Sequence, residues 1–192
     1  MMKQILLLSL LLSLTPLSAK AVEGHTIYIT LPANFAQKIC EDNPGRGKSI
    51  VWKGVEDKRD TAEIGLQTKS GQEVKVYADP SPAEMFGKEI QKIFKVCGVN
   101  LVKKGASEVQ VDILDFQTLV QKKLVTGSNT AVSKIRFHLI RGAGQSTSVD
   151  VGFEMEAKGI RRMGFRSMEQ TANDLFLKTL EQIPTSELFS LL

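Results

Sequence analysis

The chain has 192 residues, and its 25 Lys and Arg residues against 21 Asp and Glu give a formal net charge of +4. The basic residues alternate with acids along the chain and form no stripe, which argues against a nucleic-acid-binding protein. Two cysteines and two histidines, with His25 and His138 far apart, form no zinc pattern. We therefore expect neither a metal nor a cofactor.

Residues 1–21 have the pattern of a cleaved secretory signal peptide. Lys3 gives a positive start, an apolar run follows over residues 5–14, and Ala19 and Ala21 supply the small side chains that signal peptidase accepts. Ten apolar residues are too few to cross a hydrocarbon core about 30 Å thick, and no later run is longer, so we expect no transmembrane segment. The sequence predicts a periplasmic protein; release beyond the outer membrane stays open.

The predicted cleavage changes two further expectations. Loss of Lys3 and Lys20 without any acid lowers the net charge to +2. An oxidising compartment permits a disulfide between Cys40 and Cys97. Such a bond would contribute about 4 kcal/mol by restricting the unfolded chain. The spacing alone does not distinguish a disulfide from two unpaired thiols, one of them buried at a helix end.

Composition along the chain divides it into three parts after the signal. The composition of residues 22–48 predicts an N-terminal extension, with a short strand near residues 26–31 and a polar, turn-rich loop. Residues 49–184 predict a single domain, and residues 185–192 an apolar tail. The domain opens with two short strands, at residues 49–55 and 73–77, that enclose a charged break.

The first helix is predicted after residue 80. Ser81 suits the N-cap, and Pro82 suits the next position because its missing N–H would have no partner there. Apolar residues recur every three or four positions from Phe86 to Cys97, which indicates one buried helix face. Gly98 then predicts the helix stop.

Three long strands follow, within residues 109–125, 131–139 and 149–157, with turns predicted at residues 127–129 and 142–144. Apolar and polar residues alternate along them, which is typical of an antiparallel sheet with one polar face. A turn centred near residue 144 would place Lys134 opposite Glu154 and His138 opposite Asp150, with Arg136 near an acid on the diagonal. These side chains would either fix the register of the hairpin or form a charged recognition surface.

The last helix is predicted from a capping box, with Ser167 as N-cap and Gln170 at the third position, and Pro184 ends it. Leu188 and Phe189 in the tail would pack back onto the domain or contact a partner. The element order predicts an α+β fold: a two-layer sandwich with a largely antiparallel sheet and two helices packed on one face.

Two motifs suggest chemistry, and neither is complete. Gly47, Lys48 and Ser49 resemble the end of a phosphate-binding loop, but Asp42 stands where that motif needs its first glycine. A strand also follows, where the motif requires a helix. Hydrolysis would require a nucleophile beside His138 in a cleft. We therefore predict no catalytic residues and no enzyme.

Diffuse features from residue 52 onward resemble the YajG-type lipoproteins of Gram-negative envelopes. They are Asp57-Lys58-Arg59 after the first strand, the helix that stops at Gly98, the alternation at 109–113, the long hairpin, and Asn173-Asp174-Leu175 in the last helix. The resemblance implies a periplasmic α+β domain without an assigned activity. No cysteine lies near the cleavage site, so we expect a protein without the lipid anchor of that family.

Two functional hypotheses follow. The first is a non-enzymatic envelope protein that binds another protein through a sheet edge or the apolar tail, with a homo-oligomer left open. Its candidate surface comprises Lys134, Arg136, His138, Asp150, Glu154, Leu188 and Phe189. The alternative is a carrier or sensor of a small apolar ligand or lipid, held among Phe86, Phe94, Phe137, Phe153 and Phe176.

Overall fold

The computed structural model describes residues 24–40, 42–69, 72–122, 127–159 and 164–192. The predicted signal peptide lies outside these ranges. The strands are β1 (Gly24–Tyr28), β2 (Ser49–Asp57), β3 (Gly65–Lys69), β4 (Gln72–Asp79), β5 (Asn100–Leu101), β6 (Ser107–Lys122), β7 (Gly127–Arg141) and β8 (Gln145–Gly159). The helices are α1 (Phe35–Ile39), α2 (Pro82–Val96), α3 (Phe165–Glu181) and α4 (Leu188–Leu191).

The eight strands form one mixed sheet that forks at β6. β6 pairs along its whole length with β7, which pairs with β8, and both pairings are antiparallel. The other edge of β6 is shared: β2 pairs with it at residues 108–113 and β3 at residues 118–119, both in parallel. β2 continues to β5, whereas β3 continues through β4 to β1.

The predicted largely antiparallel sheet with two helices on one face is therefore wrong. Among the described pairings, β1–β4, β2–β5, β2–β6 and β3–β6 are parallel. Four helices are described, and they do not form a simple pair: α1 packs on α2, α2 contacts β2, β5 and β6, and α3 contacts β6, β7 and β8. Alternation marks a strand, but it does not identify the strand's partner, and parallel partners are distant in sequence.

Helix α2 forms as its sequence predicts. The Ser81 hydroxyl accepts a hydrogen bond from the backbone N–H of Glu84, and Pro82 occupies the first turn. Gly98 has a φ of +89° and donates to the Lys95 carbonyl, so the chain turns away where only glycine adopts the conformation easily. The apolar face of α2, from Met85 to Phe94, is buried.

The β7–β8 hairpin keeps its predicted faces and changes its register. Its turn is a 3₁₀ segment at Gly142–Gly144 that places Arg141 opposite Gln145. The hairpin is therefore centred at residue 143, and every partner shifts by two positions from the predicted register. A two-residue shift keeps each side chain on its own face, because side chains alternate with a period of two. Residues 127–129, predicted as a turn, belong to β7.

Both ends of the chain contribute to the domain. β1 pairs with β4, and Ile27 and Phe35 join the core, so the segment predicted as an extension forms part of the same sheet and core. Helix α3 begins at Phe165, with Gly164 as N-cap, so the predicted capping box is wrong. The Ser167 hydroxyl instead donates to the Gly164 carbonyl.

Candidate functional site

The polar face of the hairpin forms a ladder of paired charges. In the observed register Arg136 lies opposite both Asp150 and Asp112. Its Nε and Nη2 atoms donate to the two Asp150 carboxylate oxygens at 2.6 and 2.9 Å. The Lys134 ammonium lies 3.0 Å from the same carboxylate. Two cations therefore share one acid.

The electrostatic consequence falls on Asp150. The bidentate hydrogen bond from Arg136, together with the Lys134 ammonium, holds the pKa of this carboxyl well below its usual range, although partial burial opposes the shift. The carboxylate is thus ionised at neutral pH and fixed in its geometry. This arrangement stabilises the hairpin register, as cross-strand pairs of opposite charge do.

His138 lies in the next row of the same face and connects two strands. Its Nε2 atom is 3.0 Å from the Asp112 carboxylate on β6, and the Ser148 hydroxyl on β8 is 3.1 Å from its Nδ1 atom. Both contacts are satisfied when the ring proton is on Nε2. The residue types match a serine–histidine–aspartate set. They lie, however, on an open sheet face, where β7 pairs with strands on both sides and uses its backbone N–H groups in the ladder.

The remaining predicted surface residues lie elsewhere. Glu154 is exposed opposite Val132 and not opposite Lys134. Leu188 and Phe189 are buried, and the Phe189 ring contacts the Phe94 ring edge-on at 5.8 Å. The tail therefore packs onto the domain, and it does not present these two side chains to a partner. Burial of apolar side chains is favourable, and the tail buries Leu188 and Phe189 within its own chain. These two residues therefore do not belong to the exposed candidate surface.

The disulfide between Cys40 and Cys97 is present, and both residues are buried. Their Cα atoms are 4.9 Å apart across a sequence separation of 57 residues. The bond connects the residue after α1 to the C-cap of α2. It thus ties the N-terminal segment to the end of the helix that packs on β2.

The aromatic residues assigned to an apolar pocket contact one another. Phe86 packs edge-on against Phe116 and Phe176, and Phe94 packs against Phe137, with ring centroids 4.7–6.3 Å apart. These rings are buried, whereas Phe153 is partly exposed. The core space that the carrier hypothesis reserves for a ligand is occupied by side chains.

Sequence reasoning missed a groove of about 720 Å³ between α2 and β2. Its walls include Trp52 and Val55 from the strand, both partly exposed, and Gly87 from the helix. Lys88, Lys92 and Lys95 form its helical rim. The spacing of these lysines, three or four residues apart along one predicted helix face, is the signal that could have revealed it.

Arg59, which the sequence analysis named only within the family resemblance, lies at the point where the sheet forks. Its side chain is only 6% exposed, and it makes a bidentate contact with Asp57. It also donates to the backbone carbonyls of Glu63 and Phe116. It thereby satisfies polar groups in the gap that β2 and β3 leave along the edge of β6.

Two negative findings complete the description. Within the described residues, no group of three or more His, Cys, Asp or Glu side chains is arranged to hold a metal ion. No helix in the described ranges has both the length and the apolar composition that a bilayer crossing requires.

Comparison with known proteins identifies a family. The family model described as an uncharacterised lipoprotein matches residues 42–187. No curated protein matches the chain. Among solved structures, protein XCC0632 from Xanthomonas campestris, of family DUF330, is similar at 11% identity and a TM-score of 0.51, covering 84% of this chain and 90% of that one. The rare lipoprotein B from Shewanella oneidensis is similar at 7% identity and a TM-score of 0.41, covering 75% and 93%.

Proposed function

This chain belongs to the family of uncharacterised lipoproteins, as its resemblance to the YajG-type proteins predicts, and from that premise we propose that it is a non-enzymatic periplasmic protein that binds another protein of the cell envelope. Membership of a lipoprotein family implies an envelope-associated location. The periplasmic side and the protein partner are parts of the proposal.

One observation carries the proposal: among the described strands, those on both sides of the fork have an edge without a neighbouring strand. In the described part of the chain, β8 pairs only with β7 over its 15 residues, and β2 meets β5 only at Ser49 and Ile50. Unpaired strand edges present backbone donors and acceptors that readily pair with another chain. The sequence offers the apolar tail as the other binding surface. Because Leu188 and Phe189 of the tail are buried, we place the binding at the strand edges.

Site-specific photo-crosslinking in the native envelope tests the proposal. A photoreactive amino acid is placed at Lys53 beside the β2 edge or at Glu154 on β8, both of which are exposed. We expect an adduct with one envelope protein from at least one position, recovered from the periplasmic side after fractionation. Absence of any protein adduct at both positions would contradict the proposal, and an adduct with a second copy would identify a homo-oligomer.

One observation favours a second function, the hydrolysis of an ester or amide. The His138 ring lies within hydrogen-bonding distance of both the Ser148 hydroxyl and the Asp112 carboxylate. The three side chains lie on an open sheet face, whereas such chemistry uses a cleft that excludes water. Labelling with a fluorophosphonate decides the matter: modification of Ser148, lost in Ser148→Ala, would establish the nucleophile, and an unlabelled protein would exclude this candidate.

A further inference from the structure

The open part of the β2 edge begins where β5 ends. The Val102 N–H donates to the Ile50 carbonyl, and this is the last backbone hydrogen bond described on that side of β2. On the opposite side, the Lys58 N–H donates to the Ile113 carbonyl of β6. Because residues alternate along a strand, the backbone groups of Val55 and Asp57 face away from β6. Of these two residues, Val55 lines the groove.

The groove gives this edge a floor and an opposite wall. Trp52 and Val55 are partly exposed on the strand side, and Gly87 of α2 lines the groove across from them. A Cβ atom at Gly87 would make ordinary contact with Val55 Cγ2, at 3.6 Å, so a longer side chain there would extend into the groove. A strand added beside β2 would direct alternate side chains into this space.

The helical wall is positively charged. Lys88 and Lys95 have no carboxylate within salt-bridge distance among the described residues, and Lys92 is 3.7 Å from Glu89. Glu84 is the acid that lines the same groove. Three lysines against these two acids still leave net positive charge along one side of an unpaired strand edge.

We infer that this groove binds an extended, acidic segment of a partner protein. The segment pairs its backbone with the free edge of β2, places an apolar side chain against Trp52 and Val55, and directs carboxylates toward Lys88, Lys92 and Lys95. The inference rests on the proposed function and specifies its site and the chemistry of the partner. Backbone pairing supplies affinity, and the side chains supply selectivity.

The chain provides its own reporter, because Trp52 is its single tryptophan. The probe is an eight-residue peptide of alternating Glu and Val with blocked ends. We expect it to shift the Trp52 emission to shorter wavelength in a saturable manner, and to bind less tightly as salt rises. Two matched peptides serve as controls: Lys replaces every Glu in one, and Pro replaces alternate residues in the other. We expect neither to bind.

Two sets of variants locate the binding. Replacing Lys88, Lys92 and Lys95 with Gln should weaken binding of the acidic peptide about tenfold, since exposed ion pairs contribute modestly one by one. Gly87→Leu should abolish binding by filling the groove, whereas Gly87→Ala should retain it. The lysine changes lie at the surface and leave the core intact, so they remain informative if Gly87→Leu fails to fold.

Three results would overturn the inference: no saturable shift with the acidic peptide, an equal shift with the lysine peptide, or a shift that the lysine variant leaves unchanged. These failures are distinct from failure of the proposed function. A protein adduct in the envelope together with a negative peptide titration retains protein binding and rejects this site and its acidic partner.

Discussion

The chain carries charge on two surfaces that differ in how the charge is neutralised. On the hairpin, Lys134 and Arg136 both contact Asp150, and His138 contacts Asp112. On α2, Lys88 and Lys95 have no acidic partner among the described residues. A cation paired within its own chain stabilises the fold, whereas an unpaired cation beside an open strand edge is available to another molecule. For this reason we place the proposed binding beside α2, whereas the sequence analysis placed it on the hairpin.

Loss of the disulfide should have the largest effect on stability. It should affect α2 and the groove more than the hairpin, because the bond ends at the C-cap of α2. In Cys40→Ala with Cys97→Ala, the free energy of unfolding should fall by about 4 kcal/mol, because the unfolded chain regains the entropy of a closed loop. Urea denaturation of the oxidised wild type and the double variant measures the change.

Hydrogen exchange on the same pair of proteins sharpens the comparison. Amides at the C-terminal end of α2 should exchange faster in the variant, since the bond ends at its C-cap. Amides of the β7–β8 hairpin should change little. Equal loosening of both regions would show that the bond does not act locally on the groove.

Arg59→Ala should have the next largest effect, about 3 kcal/mol. The change removes a nearly buried guanidinium and leaves Asp57 and two backbone carbonyls without their donor. Lys58→Ala is the matched control: Lys58 contacts Glu56 on the exposed surface, so its loss should change the stability far less than loss of Arg59. Similar urea midpoints for the two variants would contradict a structural role for Arg59 at the fork.

Asp150→Asn should destabilise the hairpin by at most about 1 kcal/mol at pH 7, because the carboxylate is more than one-third exposed and solvent screens the pair. The pKa of Asp150 is lowered in the folded state, so the unfolded state binds the proton more readily. Its contribution is therefore complete above the unfolded pKa of about 3.9 and is lost as the pH falls through the folded pKa.

Urea denaturation of wild type and Asp150→Asn from pH 7 down to pH 3 measures this dependence. The difference between the two proteins should be constant above about pH 5 and should shrink below about pH 4. Subtraction removes the contribution of Glu63, whose pKa is also lowered, by its own backbone N–H and by Lys75. A difference that grows toward low pH would contradict the paired geometry.

Replacing Lys88, Lys92 and Lys95 with Gln should have the smallest effect on stability, within about 0.5 kcal/mol of wild type. These side chains lie on the surface of α2, and two of them lack an acidic partner in the described chain. Denaturation of this variant beside Asp150→Asn tests the comparison directly. If the lysine variant is the less stable of the two, the α2 lysines serve the fold.

Local sequence signals predicted individual elements well where the physics is local. Ser81, Pro82 and Gly98 mark α2 because caps and stops depend on neighbouring residues. The alternation on β7 and β8 gave the correct faces, and the charges on them were correctly expected to pair. Their exact partners differed by two positions, because the geometry of the 142–144 turn sets the register.

Features that depend on contacts between distant residues were missed. β3, α1 and α4 are short, and burial against the rest of the chain stabilises them. The groove needs α2 to lie beside the free edge of β2, and these elements are separated by β3 and β4 in the chain. The sequence pattern within α2 or within β2 does not indicate that the two elements lie side by side.

The sequence by itself determined the family, the polar and apolar faces of the long strands, and helix α2, because short-range backbone and solvation preferences control these features. Only the tertiary structure decided that Cys40 meets Cys97, that Leu188 and Phe189 are buried, and that parallel pairing forks the sheet at β6. Each of these depends on long-range packing, in which the most favourable burial of apolar surface selects among many pairings that local sequence permits.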